Sequence, residues 1–317
     1  MTIEEFIEEW NNSNDYVIVH TSGSTGIPKE IKLSKSLMYK SALRTNRFFS
    51  IDKYSHLHLT LSPDYIAGKM MIVRALISGA KLTYEMPKNI LSLDTENDDI
   101  DLLAVVPSQL IDLLNKELKC KIKNIIVGGS SIPLTLREEL AESDFTAYET
   151  YGMTETASHV ALRKVTTDPT KPYFALPGIH FSTDNRQCLI IEIDNEYRYI
   201  TNDVVDLIDD THFNILGRYD DVIITGGLKV HPQEVENIIS KFIPNNKSFY
   251  ISSVPNDKWG EEVVLIMNNT HNNFDFNTLT VELKCLLKPY QIPKRVIFVD
   301  NIPLTTTGKV IRKKIIL

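Results

Sequence analysis

The segment Asp15–Lys29 reads DYVIVHTSGSTGIPK, an apolar strand-like run that leads into a loop with four hydroxyl side chains, two glycines and a lysine. Glycines let backbone N–H groups curl around an anion, hydroxyls add donors and Lys29 adds a charge. The segment therefore predicts a polyphosphate loop, although an ordinary Ser/Thr/Gly surface loop has a similar composition. No Gly-Lys-Ser/Thr tail follows Gly26, which argues against a P-loop kinase or GTPase. The predicted ligands are Thr21, Ser22, Gly23, Ser24, Thr25, Gly26 and Lys29.

Strands and helices alternate downstream of this loop, which predicts an α/β layer with a largely parallel sheet. Ser34 is a suitable N-cap for the first helix. The predicted strands are 56–62, 81–85, 102–106, 124–127 and 146–149, and the later helices are 67–78, one that starts at Pro107, and 133–142.

The pattern becomes β-rich after Pro177 and changes again near Asp220. The β-rich part predicts strands at 188–193, 197–201, 204–208 and 213–216. The last part predicts helices at 232–242 and 276–287 and strands at 249–253, 262–267 and 296–299. Such an order is typical of a β-rich subdomain followed by a separate small α+β domain.

Composition restricts the function. The 317 residues include 34 Lys+Arg and 41 Asp+Glu, a net charge of −7, which argues against a general nucleic-acid binder. No apolar run approaches the roughly 18 residues that would span a membrane. The acidic start is unlike a signal peptide, and three scattered cysteines predict neither disulfides nor a cysteine metal site. A cytoplasmic protein is expected.

The loop TSGSTGIPK resembles the TSG[ST]TGxPK signature of the adenylate-forming enzymes, which include acyl-CoA synthetases, aryl-CoA ligases and adenylation domains. Glu30 stands where that family usually has glycine. Further segments match family motifs in the same order along nearly the whole chain. These segments are Gly128–Ser131, YGMTE at 151–155, TND at 201–203, GRYDDVI at 217–223 with GG at 226–227, VHPQEVE at 230–236, and LTTTGKVIR at 304–312.

The resemblance implies that the cofactors are ATP and Mg²⁺, with CoA as co-substrate. It implies that Tyr151 packs near adenine, Thr154 meets the phosphate and Glu155 takes Mg²⁺, a hard cation that favours oxygen ligands. Glu155 could instead be a first-turn helix carboxylate that the dipole favours. Gly129 and Ser130 are assigned to the adenine-side turn and Gly128 to the acyl-substrate site.

The later motifs imply the remaining nucleotide and hinge residues. By resemblance, Asp203 accepts both ribose hydroxyls, although an Asn-Asp turn would also account for the pair 202–203. Arg218 is expected near the ribose and phosphate, and Asp220 is expected to be the hinge between domains 1–218 and 219–317. Gly226 and Gly227 would line the pantetheine path, and Lys309 would be the adenylation lysine.

Weaker signals concern the acid. The segment 63–68 with Arg74, and TETAS at 154–158, look most like the o-succinylbenzoate–CoA ligases of menaquinone biosynthesis. In that subfamily the arginine and Ser158 hold the distal carboxylate. An arginine on the otherwise apolar helix 67–78 is costly to bury unpaired, so it needs an anionic partner, either the substrate or an acidic residue of the protein. Tyr65 stands where many relatives have histidine and is assigned to the acyl site.

Other functions share these residues. Ligation to a carrier protein, adenylation of another aryl or fatty acid, and a non-catalytic nucleotide-binding module all remain alternatives. Retention of Lys29, Glu155, Asp203, Arg218 and Lys309 together argues against the last of these. The family's usual large region before the phosphate loop is almost absent, so a homo-oligomer that covers an exposed sheet edge is also considered.

Overall fold

The computed structural model of the chain describes residues 1–20, 30–93, 98–168, 170–243, 248–268, 274–303 and 310–312. The chain divides into two compact units. The first contains Met1–Ile132, Leu136–His180 and Ile193–Tyr197, and the second contains Pro133–Thr135, Phe181–Glu192 and Arg198–Leu317. The boundary predicted after residue 218 is that of a C-terminal domain that moves about Asp220. Division into compact units does not test such a motion, so the boundary stays a prediction.

The first unit is built around a mostly parallel sheet. Its strands lie in the order β4-β3-β5-β6-β7-β8-β9, parallel from β4 to β7 and antiparallel from there to β9. The bounds are β3 (His56–Leu59), β4 (Lys81–Tyr84), β5 (Ile100–Val105), β6 (Ile122–Val127), β7 (Thr146–Met153), β8 (Ser158–Lys164) and β9 (Tyr173–Ala175). The predicted parallel α/β layer is therefore confirmed. A separate antiparallel pair joins β1 (Tyr16–His20) and β2 (Glu30–Ser34).

Five helices accompany this part of the chain: α1 (Ile3–Asn11), α2 (Lys35–Phe49), α3 (Ile66–Ser78), α4 (Pro107–Leu114) and α5 (Leu134–Glu142). Ser34 caps α2 as predicted, since its hydroxyl accepts from the Leu37 N–H. Helix α1 was not predicted, although Thr2 and Glu5 form a capping box at its start. Most of α3 is buried, which agrees with its apolar sequence. No helix in the described ranges is long and apolar enough to cross a lipid bilayer.

The second unit contains most of β10 (Ile179–Thr183), together with β11 (Cys188–Ile193), β12 (Tyr197–Leu207) and β13 (His212–Arg218) as successive neighbours. The two strands predicted at 197–201 and 204–208 are one strand. They form β12, whose register against β13 shifts between Val204 and Val205. Such an irregularity bends a strand without ending it, and the polar residues at this bend suggested a turn.

The C-terminal part forms a five-stranded sheet with two helices. Strands β14 (Ile223–Thr225), β15 (Leu228–Val230), β16 (Phe249–Asn256) and β17 (Gly260–Asn268) lie in the order β15-β14-β17-β16, and β18 (Val296–Val299) pairs in parallel with β17. Helices α6 (Pro232–Ile239) and α7 (Phe276–Leu283) end earlier than predicted. Apolar residues such as Val235, Leu265 and Leu283 form the buried core, which confirms the α+β content.

Candidate functional site

The carboxyl ends of three neighbouring strands are tied together in the first unit. The N–H of Gly128, just after β6, donates to the Val105 carbonyl of β5 at 3.1 Å. The Thr150 hydroxyl of β7 donates to the Val127 carbonyl at 3.1 Å. Ligands of open α/β sheets bind at this edge. The structure therefore brings the predicted turn, with Gly128, Gly129 and Ser130, to the same edge as Tyr151.

Two glycines at this edge satisfy backbone requirements. Gly129 has a φ of 90°, in the region that favours glycine. A side chain at Gly152 would place its Cβ only 2.1 Å from the Ser158 carbonyl oxygen, because β7 and β8 approach closely there. The close approach places Tyr151 and Ser158 on adjoining segments of backbone.

A short turn joins β7 to β8 and carries Thr154 and Glu155. It is a three-residue 3₁₀ turn, Thr154–Thr156, which Ala157 joins to the strand β8. Glu155 lies in the first turn of this 3₁₀ segment, and the strand β8 follows instead of an α-helix whose dipole would favour the carboxylate. Glu155 is half-buried, and none of the hydrogen bonds and ion pairs among the described residues involves its carboxylate.

The end of this turn is strained. Ala157 has a φ of 53° and Ser158 a φ of 89°, both unusual for residues with a side chain. Hydrogen bonds hold the strain: the Thr156 hydroxyl donates to the Ser158 carbonyl at 2.8 Å, and the Ser41 hydroxyl donates to the Ala157 carbonyl at 2.9 Å. Strained backbone persists where its surroundings over-determine it, and such positions cluster at functional sites.

Arg74, on α3, is buried without an acidic partner. Its side chain is 1% exposed, and its Nη2 lies 3.4 Å from the Ser158 hydroxyl. Its Nε has no hydrogen-bond partner, and the ion pairs of the described residues include none to Arg74. Burial lowers the pKa of Arg74 to about 9, so the group remains a cation at neutral pH. Within the described chain, the predicted pairing with an acidic residue of the protein is not found.

Polar side chains contact the Arg74 backbone and the neighbouring His159. Asn46 donates its side-chain N–H to the Arg74 carbonyl at 2.9 Å, and the hydroxyl of Thr45 lies 3.0 Å from Nε2 of His159. Tyr65 directly precedes α3 and is 44% exposed. The structure thus brings Arg74 and Ser158 together, whereas no hydrogen bond among the described residues joins Tyr65 to either of them.

Three predicted residues of the second unit also meet. Asp203 and Arg218 face each other in the register of β12 and β13, and their Oδ1 and Nη1 atoms are 3.1 Å apart. Arg218 Nη2 lies 3.5 Å from the Asp220 carboxylate. Asn202 donates its side-chain N–H to that same carboxylate at 3.1 Å. By the sequence resemblance, Asn202 stands where the family's TGD motif has glycine, and its side chain contacts the predicted hinge.

Gly226 and Gly227 form the turn between β14 and β15, and sequence reasoning missed the residue beside them. The Gly226 N–H donates to the Trp259 carbonyl at 2.8 Å, and a Cβ at Gly226 would lie 2.9 Å from the indole. Trp259 is 50% exposed, and the Lys258 ammonium lies 4.7 Å from the centre of its ring. A tryptophan in the polar segment NDKWGEE was a signal for this surface.

Glu149 was also missed. Its carboxylate is buried on β7, accepts from the Ile132 N–H at 3.2 Å, and pairs with the guanidinium groups of Arg137 and Arg163. Burial alone would raise the pKa of Glu149, but the two arginines lower it. Because side chains alternate along a strand, Glu149 shares a face with Tyr151. This alternation could have indicated a role near the predicted adenine turn.

The remaining predicted residues lie outside the described part of the chain. These are Thr21, Ser22, Gly23, Ser24, Thr25, Gly26 and Lys29 of the predicted phosphate loop, and Lys309. Across the described ranges, no three His, Cys, Asp or Glu side chains come together as a metal site.

Comparisons with known proteins match this architecture. The model of the AMP-binding enzyme family matches residues 4–198. A 2-succinylbenzoate–CoA ligase of Listeria monocytogenes is 25% identical over 98% of this chain and 72% of its own length. A solved acyl-CoA synthetase (AMP-forming)/AMP-acid ligase II-like protein of Dyadobacter fermentans is 30% identical, with a TM-score of 0.63, over 96% of this chain and 90% of its own.

The fold is also that of a more distant solved enzyme. The o-succinylbenzoate-CoA synthetase of Bacillus subtilis, in complex with ATP and a magnesium ion, has a TM-score of 0.80 at 21% identity, over 93% of this chain and 68% of its own. The family model covers well over half of the chain, and the order of the motifs along the sequence agrees with it. This chain is a member of the AMP-binding enzyme family.

Proposed function

We propose that this protein is an AMP-forming acid–CoA ligase whose acid is o-succinylbenzoate. In the first half-reaction, a carboxylate oxygen of the acid attacks the α-phosphorus of ATP and pyrophosphate leaves. In the second, the sulfur of CoA attacks the acyl carbonyl, the thiol proton is lost and AMP leaves. The relatives named 2-succinylbenzoate–CoA ligase support this choice of acid.

The observation that carries the proposal is the buried cation of Arg74. An unpaired charge in the interior costs several kcal/mol, roughly, unless something neutralises it. The guanidinium of Arg74 has the neutral hydroxyl of Ser158 as a hydrogen-bond partner and no acidic partner within the described chain. The second carboxylate of a dicarboxylic aryl acid supplies the missing anion, while the first carboxylate reacts at the other end of the molecule.

The nucleotide belongs at the carboxyl edge of the parallel sheet. We assign the turn at Gly129 and Ser130 to one side of adenine and Tyr151 to the other, with Gly128 toward the acyl group. Thr154 follows on the turn after β7 and is assigned to the phosphate. The phosphate loop, including Lys29, completes this site by the sequence resemblance, since it lies outside the described residues.

Magnesium fits the donor at Glu155. A carboxylate is the oxygen ligand that Mg²⁺ favours, and this one has no partner within the described chain. Mg²⁺ usually keeps waters and substrate phosphates as ligands, which agrees with the absence of a three-residue cluster among the described residues. When bound, the ion neutralises charge on the departing pyrophosphate.

The second unit is assigned to the ribose and to the change between half-reactions. Asp203 and Arg218 would hold the ribose, and a carboxylate can accept from both hydroxyls. Asp220 would be the hinge for a domain that begins at residue 219 and carries Lys309. The exposed indole of Trp259 beside Gly226 and Gly227 offers an apolar wall for pantetheine. These co-substrates fit a cytoplasmic location.

Pyrophosphate release tests the proposal. The protein is incubated with MgATP and each of a panel of aryl and fatty acids, with and without CoA, and thioester is measured in parallel. We expect o-succinylbenzoate to support both products. A carrier-protein ligase would release pyrophosphate and form no CoA thioester, and a non-catalytic homologue would bind ATP without releasing pyrophosphate.

Arg74→Ala tests the residue assignment. Loss of the charge-assisted contact should lower kcat/KM for o-succinylbenzoate. The loss should correspond to about 2–5 kcal/mol of transition-state stabilisation. The matched control is the benzoate analogue that lacks the distal carboxylate, which should lose much less. Equal losses for both acids would show that Arg74 has a structural role and does not bind the distal carboxylate. If no dicarboxylic aryl acid supports the release of pyrophosphate from ATP, the substrate assignment is wrong.

A further inference from the structure

His159 is a buried histidine that the proposed reaction does not use. It follows Ser158 on β8 and is 5% exposed. Its Nε2 lies 3.0 Å from the Thr45 hydroxyl of α2, and its Nδ1 lies 3.5 Å from the Ser158 hydroxyl. Ser158 in turn lies 3.4 Å from Arg74 Nη2 of α3. A chain of polar atoms therefore runs from Arg74 through Ser158 and His159 to Thr45.

The hydrogen-bond partners of His159 favour one of its two neutral tautomers. The Thr45 hydroxyl has one proton and lies 3.2 Å from the Ser41 carbonyl, which can only accept. When Thr45 donates to Ser41 it accepts from His159, and Nε2 then carries the proton. Arg74 can only donate, so Ser158 accepts from Arg74 and directs its own proton to Nδ1 of His159. In this arrangement His159 is neutral, with its lone pair toward Ser158.

An anion beside Arg74 changes this arrangement. It would draw the Ser158 proton toward itself, and both contacts of Ser158 are long enough for the hydroxyl to turn. The lone pair on His159 Nδ1 would then be buried without a donor, which is unfavourable. A proton taken up at Nδ1 removes this problem and adds a second positive charge near the anion.

We propose that His159 takes up one proton when the distal carboxylate of the acid binds at Arg74, so that the enzyme binds the second carboxylate together with a proton. The proposal rests on the acid assigned above. Before the acid binds, burial and the neighbouring Arg74 charge keep the pKa of His159 well below its usual value. Thr45 and Ser41 of α2 and Ser158 of β8 are neutral, so Arg74 is the charged group that acts on His159 among the described residues.

The direction of the pH effect follows from linkage. A carboxylate that neutralises Arg74 raises the pKa of His159 in the complex above its value in the free protein. Binding of the acid therefore strengthens as the pH falls from the complex pKa toward the free pKa, by up to about tenfold per pH unit. Above both values the proton is not taken up and this dependence ends.

The test compares two acids on one enzyme preparation. We would measure kcat/KM for pyrophosphate release between about pH 6 and 8.5, where histidine titrates and both carboxylates stay ionised. One acid is o-succinylbenzoate and the other is the analogue without the distal carboxylate. The kcat/KM for o-succinylbenzoate divided by that for the analogue should fall as the pH rises. This ratio does not depend on the fraction of the preparation that is folded.

His159→Gln is the matched variant, because its amide can still donate to Thr45 and accept from Ser158 but does not titrate. We expect the ratio to lose its pH dependence in this variant. A flat ratio in the unmodified protein, or an unchanged slope in His159→Gln, would overturn the proposal while leaving the ligase assignment intact. If neither acid releases pyrophosphate at any pH, the proposed function fails and this inference fails with it.

Discussion

Asp220 and Asp221 are neighbours in sequence whose carboxylates are held by different parts of the chain. Asn202 donates to Asp220 at 3.1 Å and Arg218 lies 3.5 Å from it, so β12 and β13 hold this residue. Asp221 instead pairs at 3.4 Å with Arg312, which also binds Glu236 of α6. The peptide between the two carboxylates thus separates a segment fixed to the β-rich strands from one fixed to the C-terminal sheet. A hinge at Asp220 agrees with this separation.

Asp220→Pro should uncouple the two half-reactions. Proline fixes φ, and a hinge acts through changes in the torsions of a few residues. Single-turnover formation of acyl-AMP should survive if the chain is trapped in the adenylating arrangement, while steady-state thioester formation should fall. Asp220→Ala is the control, because it removes the carboxylate but leaves φ free. Normal CoA ligation by the proline variant would refute a hinge at this position.

Lys309→Ala should remove adenylation selectively. By the sequence resemblance, its charge stabilises the attack on the α-phosphorus, and loss of one such group costs about 10²–10³ in rate. Thioester formation from supplied acyl-AMP should be largely intact. Lys313→Ala serves as the control for a loss of positive charge in the same tail. Equal losses in both half-reactions would show that Lys309 is not specific to adenylation.

Arg74→Met should raise stability while it lowers activity. The substitution replaces a buried charge that has no acidic partner with an apolar side chain of similar length, and such replacements can stabilise by about 1–4 kcal/mol. Urea unfolding at pH 7 measures the change, and turnover of o-succinylbenzoate is measured beside it. Arg163→Met is the contrasting variant, because it breaks an ion pair with Glu149 and should destabilise. A less stable Arg74→Met protein would mean that Arg74 has an internal role.

Glu149→Gln should destabilise the protein by about 3–5 kcal/mol, because it leaves the charges of Arg137 and Arg163 buried and uncompensated. The Glu149 carboxylate also accepts from the Ile132 N–H, close after the predicted adenine turn. The KM for ATP should therefore rise more than the KM for the acid. An unchanged ratio of these two constants would restrict Glu149 to a structural role.

The ionised carboxylate of Glu85 should stabilise the folded protein, and this contribution should disappear when the carboxylate is protonated at low pH. Burial alone would raise its pKa, but hydrogen bonds from Ser92, His58 and the Leu93 N–H lower the pKa of Glu85 to about 2. Because the folded-state pKa is depressed, this stability is present above the unfolded value near 4.5 and is lost as the pH falls toward 2. Glu85→Gln should cost about 1–2 kcal/mol at pH 7, allowing for solvent screening, and progressively less below pH 4.5. A penalty that does not depend on pH would contradict this account.

The sequence predicted what depends on local patterns. Apolar runs and the cap at Ser34 correctly placed most strands and helices. The contact of Arg74 with Ser158 joins residues 84 positions apart, so only the resemblance to a family could suggest it. In the sequence, Glu149 is one polar residue within a strand. Its ion pairs with Arg137 and Arg163 could not be predicted, because only the fold brings these arginines to it.

Backbone strain also escaped prediction. Ala157 and Ser158 have positive φ values that neither residue type favours, and a local hydrogen bond from Thr156 and a tertiary one from Ser41 hold them. The hydrogen bond from the Asn202 side chain to the Asp220 carboxylate also escaped prediction. Ser41 and Asp220, the distant partners in these two features, are brought near only after folding.

The turn between β7 and β8 has one more consequence. Thr154 and Glu155 stand at its beginning and Ser158 at its end, and the close approach at Gly152 with the hydrogen bonds of Thr156 leaves it little freedom. In the proposed enzyme this turn fixes the distance between Glu155, at the phosphate end of the site, and Ser158, beside the distal carboxylate of the acid. A fixed distance suits one spacing between the two carboxylates of the acid. Homologous acids one methylene shorter or longer should therefore each be poorer substrates.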